Sequence, residues 1–191
     1  MRSLRGFTLI ELMVTIAVLA VLMTLAAPSF SDFFQRYRLR GAADEVASLL
    51  VTARTEAMTR NRDVAVVFGG TDAAWCVGAV AAAEPATLGD AVSAVPSCNC
   101  TGDCTIGGKV TEARGSNYSG VTRVATPASF VFDRLTGAVP LVSAGTSRTT
   151  SFKSPNQKYT LAVDVSPLGR GQLCVPSGEP AMSGFPACGA N

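Results

Sequence analysis

Gly6-Phe7-Thr8-Leu9-Ile10-Glu11-Leu12-Met13-Val14-Thr15-Ile16-Ala17-Val18-Leu19-Ala20-Val21-Leu22-Met23-Thr24-Leu25-Ala26-Ala27 is the stretch on which the fold turns. From Phe7 to Ala27 the only charge is Glu11. A helix rises about 1.5 Å per residue, so this run is long enough to span a hydrocarbon core of about 30 Å. Arg2 and Arg5 flank it on the N-terminal side and place that end in the cytoplasm. The expectation is a transmembrane segment over 7–27. A carboxylate within it is costly, about 2.5–3.5 kcal/mol at the bilayer centre and less near the interface, and normally marks a function. Two plainer readings fit less well. A secretory signal peptide cut after Ala27 rarely carries an acid at the start of its apolar run. A plain anchor whose Glu11 snorkels to the headgroups gives the acid no task.

Outward from this stretch, Pro28 is expected to kink the helix rather than end it. Phe30, Phe33, Phe34, Tyr37, Ala42, Val46, Leu49, Leu50, Ala53 and Ala57 then recur at three- and four-residue spacing, one apolar face of an amphipathic helix. The helix is expected to run to about Asn61, giving an N-terminal helical element over 7–62. From Val46 onward the stripe reads as core packing against a domain. Between Phe30 and Tyr37 it reads as a face for other helices, with Gly41 marking the change.

At Asp63 the period shifts to that of strands. Asp63–Phe68 and Ala74–Val80 read as a hairpin across Gly69-Gly70-Thr71-Asp72. Residues 81–108, rich in Ala, Pro, Gly and Cys, read as a long loop. Further strands are expected at Val121–Ala125, Ser129–Asp133, Val139–Ser143, Thr149–Lys153, Tyr159–Val165 and Gln172–Val175. The fold class is therefore α+β, a long helix on an antiparallel β-rich domain over 63–191, without internal repeats.

The side-chain charge is +2, supplied by Arg2 and Arg5. The remainder is balanced and gives no bias toward polyanions. Acids dominate 63–108, and cations dominate 109–191. The chain has no histidine, hence neither the commonest general base nor the commonest metal ligand. No nucleophile is paired with a base, and Gly69-Gly70 and Gly107-Gly108-Lys109 lack the spacing of phosphate loops. Neither catalysis nor a cofactor is expected. Six cysteines, an even number, all follow the apolar segment and fit disulfides in an oxidising compartment. Cys98-Asn99-Cys100-Thr101-Gly102-Asp103-Cys104 lacks the paired spacing of a zinc site, so no metal is expected. Cys174 and Cys188 are expected to close a C-terminal loop. Cys76 is expected to pair with one of Cys98, Cys100 or Cys104, the choice being open.

Gly6-Phe7-Thr8-Leu9-Ile10-Glu11, behind a short basic leader, resembles the processing motif of type IV prepilins and type II secretion pseudopilins. The resemblance implies a leader over 1–6, cut by a prepilin peptidase between Gly6 and Phe7, and methylation of the new Phe7 amine. Glu11 becomes the fifth residue of the mature chain. It would serve filament assembly by pairing with the Phe7 ammonium of a neighbouring subunit. Phe130-Val131-Phe132-Asp133-Arg134-Leu135-Thr136-Gly137 and Val165-Ser166-Pro167-Leu168-Gly169-Arg170-Gly171-Gln172-Leu173-Cys174 are similar to segments of the FimT/FimU minor pilins and the type II secretion pseudopilin H. The type IV pilin-like fold and a minor-pilin role in priming type IV pili at the tip follow as expectations. The implied partners are other pilins, the prepilin peptidase and the inner-membrane assembly platform. The chain would sit in the inner membrane as a single-pass protein with a periplasmic domain, then in the pilus. Two alternatives accompany this reading. One is the type II secretion pseudopilin. The other is a DNA-binding pilin for natural transformation, because Gly169-Arg170-Gly171-Gln172 is similar to the Gly-Arg-x-Arg turn of DNA-binding FimT-type pilins, with Gln172 in place of the second Arg. Arg170, with Lys153 and Lys158, would then contact DNA. The plainer expectation makes Arg170 a turn residue.

Overall fold

The computed structural model describes residues 7–82, 98–139 and 148–189, without the side chains of 25–29. The leader with Gly6, the side chain of Pro28 and positions 140–143 of one expected strand lie outside the described residues. The chain forms two compact units, Met1–Gln35 and Arg36–Asn191, and one helix, α1 (Leu9–Arg60), passes through both. It begins two residues later than the mature chain would, because Thr8 caps it. The Thr8 hydroxyl accepts the Glu11 N–H at 3.3 Å, satisfying one of the unpaired donors of the first turn. Pro28 does not end α1. Among the described residues no helix is long and apolar enough to cross a membrane. The side chains described in the expected span stop at Thr24.

In the second unit, Leu39, Ala42, Ala43, Val46, Leu49, Leu50, Ala53 and Ala57 line one face of α1 and are buried. Four of these eight are alanines, whose small side chains let the helix lie close to the strands. The first sheet has the order β5–β2–β1–β7, built from β1 (Val64–Gly70), β2 (Trp75–Ala81), β5 (Glu112–Arg114) and β7 (Phe130–Phe132). The β1–β2 hairpin runs in register from Val64 opposite Ala81 to Gly70 opposite Trp75. Gly70 takes a φ of 76° at its tip, a conformation that favours glycine. The second sheet has the order β10–β9–β8–β6, built from β6 (Thr122–Ala125), β8 (Thr149–Lys153), β9 (Thr160–Val165) and β10 (Gly171–Cys174). All pairings in both sheets are antiparallel. Trp75 of the first sheet packs on Phe152 of the second with ring centroids 4.6 Å apart, closing one core. The architecture is α+β, a helix packed on antiparallel sheets.

Three expectations change. The loop expected over 81–108 starts later, because Ala81 still pairs in β2. It also ends in a two-stranded ribbon of β3 (Thr105–Ile106) and β4 (Lys109–Val110). β5 was not expected, since Glu112-Ala113-Arg114 is short and mostly charged. Its register against β2 supplies the order, with Ala113 buried opposite Val77. Val139, expected to open a strand, instead donates its N–H to the Pro167 carbonyl at 3.0 Å and lies outside any strand.

Candidate functional site

In the first unit, every large apolar side chain described from Leu9 to Met23 is more than half exposed in the isolated chain. Phe7 is 85 % exposed and precedes the helix. Glu11 stands in the first turn, where a carboxylate also favours the positive end of the helix dipole. Thr8 and Glu11 thus occupy the first and last places of a capping-box pattern, a signal the sequence carried beside its prepilin motif. Phe30, Phe33 and Phe34 are exposed as well, with the Phe33 and Phe34 rings edge to face at 5.8 Å. In the second unit, Gly41 lies under the Tyr118 ring, where a Cβ would press on Cε1 of Tyr118. Tyr118 in turn stacks on Trp75.

The six cysteines form three disulfides. Cys174–Cys188 closes a loop with Cα atoms 4.8 Å apart, held also by the Cys188 N–H on the Val175 carbonyl at 2.9 Å. Cys76 of β2 is joined to Cys100, and Cys98 to Cys104. The Cys98–Cys104 bridge lies over Gly78 of β2, so any Cβ at position 78 would collide with both sulfurs. Asp103 ties the small ring by accepting the N–H groups of Asn99 at 2.9 Å and Thr101 at 3.3 Å. These bonds, that of Asn99 foremost, hold its carboxyl below the usual range. Donor atoms of Cys76, Cys100 and Glu112 converge, as do those of Asp103, Cys104 and Glu112. No thiolate is available in either group, because every cysteine is in a disulfide. Glu112 is also ion-paired with Arg114 at 2.7 Å.

The three cations considered for DNA do not gather at one place. Lys153 ends β8 and pairs with Glu179 at 3.6 Å. Lys158 lies in the turn before Thr160, at the same end of β9 as Lys153. Arg170 lies at the other end, in the turn joining β9 to β10, where Val165 faces Gly171. The length of β9, about 16 Å at ~3.3 Å per residue, separates the two ends. The Arg170 N–H meets the Ser166 hydroxyl at 3.2 Å, and its carbonyl accepts the Ser166 N–H at 2.9 Å.

The family model described as "Type II transport protein GspH" matches residues 42–169, more than half of the chain. The "Prokaryotic N-terminal methylation motif" matches residues 1–27. Two proteins of Pseudomonas aeruginosa described as "Fimbrial protein" are each 36% identical over 64 residues, 34% of this chain and 41% of theirs. The chain thus spans about two-fifths of the length of the curated relatives it matches. A crystal structure of the Pseudomonas aeruginosa type IV minor pilin FimU is 19% identical, covers 74% of this chain and 91% of its own, and aligns with a TM-score of 0.47. Proteins of the pilin and pseudopilin families are structural rather than catalytic. The match over 42–169, behind a methylation motif at the N-terminus, means that the chain belongs to the GspH family of minor-pilin and pseudopilin-like proteins.

Proposed function

We propose that this chain is a minor pilin, incorporated into type IV pili and helping to prime their assembly at the tip. The observation that carries the reading is the helix of the first unit, apolar on every side from Leu9 to Met23 apart from Glu11 and Thr15, whose hydroxyl is spent on the Leu12 carbonyl. A helix without a polar face belongs in a bilayer or in a bundle of like helices. A pilin occupies both in turn. In this reading the prepilin peptidase cuts between Gly6 and Phe7, and the Phe7 amine is methylated. The segment over 7–27 holds the chain in the inner membrane with its domain in the periplasm. The assembly platform then lifts it among other pilins. As the helix leaves the lipid, Glu11 meets the Phe7 ammonium of a neighbour, because a carboxylate in apolar surroundings needs an opposite charge.

The test is to shear surface filaments from the bacterium that makes the chain and to search them by mass spectrometry. Substoichiometric peptides that begin at methylated Phe7 are expected. Absence from well-piliated, deeply sampled material would overturn the pilus reading. A second reading, the pseudopilus of a type II secretion system, is favoured by the description of the family matched over 42–169. It predicts that a deletion strain loses secretion and keeps its pili. The DNA-binding alternative draws less support, since Arg170 stands apart from Lys153 and Lys158.

A further inference from the structure

One buried carboxylate has an oxygen with nothing to do in the finished fold. β5 runs beside β2 with Arg114 opposite Cys76 and Glu112 opposite Gly78. Residues two apart on a strand share a face, so Glu112 stands on the face that carries Cys76. The sulfurs of the Cys98–Cys104 bridge occupy the space that a Cβ at Gly78 would take. The Glu112 side chain is 2 % exposed. Its Oε2 accepts Arg114 Nε at 2.8 Å and Nη2 at 2.7 Å. Its Oε1 is buried and, among the described residues, accepts no hydrogen bond. Buried polar atoms are paired as a rule, and a carboxylate oxygen left without a donor calls for an explanation.

Sulfur surrounds this carboxylate. It lies within 4.8 Å of the sulfurs of Cys76 and Cys100, and within 4.8 Å of that of Cys104. The two bridges touch, with the sulfurs of Cys100 and Cys104 3.9 Å apart. A bond between those two needs an approach of only about 2 Å. Cys76 is 6 % exposed and Cys104 0 %. A thiol buried so deeply cannot pass its proton to water, yet the thiolate is what attacks a disulfide. A carboxylate beside it supplies the acceptor. The chain also sets an order of pairing. Cys100 and Cys104 are four residues apart, whereas Cys76 is 24 residues from Cys100. The short loop closes at lower entropic cost, before the strands have brought Cys76 into place.

We propose that Glu112 carries the proton in an internal thiol–disulfide exchange that sets the final pairing, in which Cys76 replaces Cys104 as the partner of Cys100. The Cys76 thiol gives its proton to Glu112 Oε1 as its sulfur attacks that of Cys100. The Cys100–Cys104 bond breaks, the Cys76–Cys100 bond forms, and the leaving Cys104 sulfur takes the proton from Glu112. One thiol and one disulfide stand on each side of this step, so it needs no oxidant. Cys98 and Cys104 then close their bridge by passing two electrons and two protons to an external disulfide, which becomes two thiols. No thiol remains in the finished cluster, and Oε1 has thereby lost its donor. The exchange concerns the domain alone, whichever filament the chain joins.

The test follows refolding of the full chain in detergent. The chain is reduced, unfolded in guanidinium and diluted into oxidised and reduced glutathione. N-ethylmaleimide blocks free thiols at intervals, and mass spectrometry reads the pairings. A Cys100–Cys104 species should appear first and give way to Cys76–Cys100. Cys98→Ala isolates the exchange, because Cys76, Cys100 and Cys104 then hold one bridge and one thiol. With Glu112 in place, the conversion rate should change little between about pH 6 and 8, since the proton acceptor is internal. Adding Glu112→Gln should slow conversion roughly 100-fold at about pH 7. It should also make the rate rise about tenfold per pH unit, because the thiolate must then form by loss of its proton to solvent. Formation of Cys76–Cys100 without a Cys100–Cys104 precursor overturns the exchange. An unchanged rate in Glu112→Gln overturns the part given to the carboxylate. So does a tenfold rise per pH unit already present in the Cys98→Ala chain, a result that does not depend on how the Glu112 variant folds.

Discussion

Glu11 and Tyr118 are two acids in unlike settings, one exposed and one part-buried. Glu11 stands exposed in the single chain, and in the proposed filament it is paired once apolar helices surround it. Glu11→Val should therefore leave insertion and cleavage after Gly6 unchanged and remove the chain from sheared filaments. Immunoblots of membranes and filaments check this, and normal incorporation of the variant would contradict the pairing with Phe7. Tyr118 is already in its final setting. Burial and the neighbouring Glu45 carboxylate, with Asp44 beyond, push its hydroxyl from 10.0 up to about 12. The folded state thus holds this proton more tightly than the unfolded state. Its contribution to stability is complete below pH 10 and is lost as pH rises toward 12. Among Tyr37, Tyr118 and Tyr159, one should titrate last by ultraviolet absorbance. Tyr118→Phe should abolish that late step and flatten the decline of unfolding free energy over the same pH window.

At the scale of elements, Arg123 of β6 links the sheets. It is 4 % exposed and donates to the carbonyls of Gly69 at 2.9 Å and Gly70 at 3.0 Å, at the tip of the β1–β2 hairpin. Burial draws its guanidinium below the ordinary value, and the charge of Asp72 opposes that. Arg123→Met removes both guanidinium donations to these carbonyls and should cost about 3 kcal/mol in urea denaturation. The disulfides act on loops that the strands cannot hold. Replacing Cys174 and Cys188 together by Ala should lower stability by about 3 kcal/mol in the same assay, on the chain-entropy account. The hairpin and the strands at 122–125, 130–132, 149–153, 160–165 and 171–174 were legible from apolar runs between turn residues. β3, β4 and β5 were not, since two or three residues carry no period. They exist because β2 presents an edge to Ala113 and because the ribbon closes near the Cys98–Cys104 ring.

At the scale of the molecule, all the buried core from Leu39 to Met182 and all three disulfides belong to the second unit. Residues 36–191 should therefore be soluble when secreted to an oxidising compartment and should unfold in one cooperative urea transition. Reduction should move its midpoint to lower urea. Aggregation of that fragment, or a transition without cooperativity, would mean that the first unit contributes to the core.

The sequence by itself determined the long helix, the apolar character of residues 7–27, the place of Glu11 as their one charge and the change of period at residue 63. These depend on neighbours within a few positions along the chain. Only the tertiary structure decided that Cys76 takes Cys100, that Gly41 lies beneath Tyr118, and that Arg170 is a strand length from Lys153. Each of these is a contact between residues far apart in sequence, set by sheet order and register, on which local periodicity is silent.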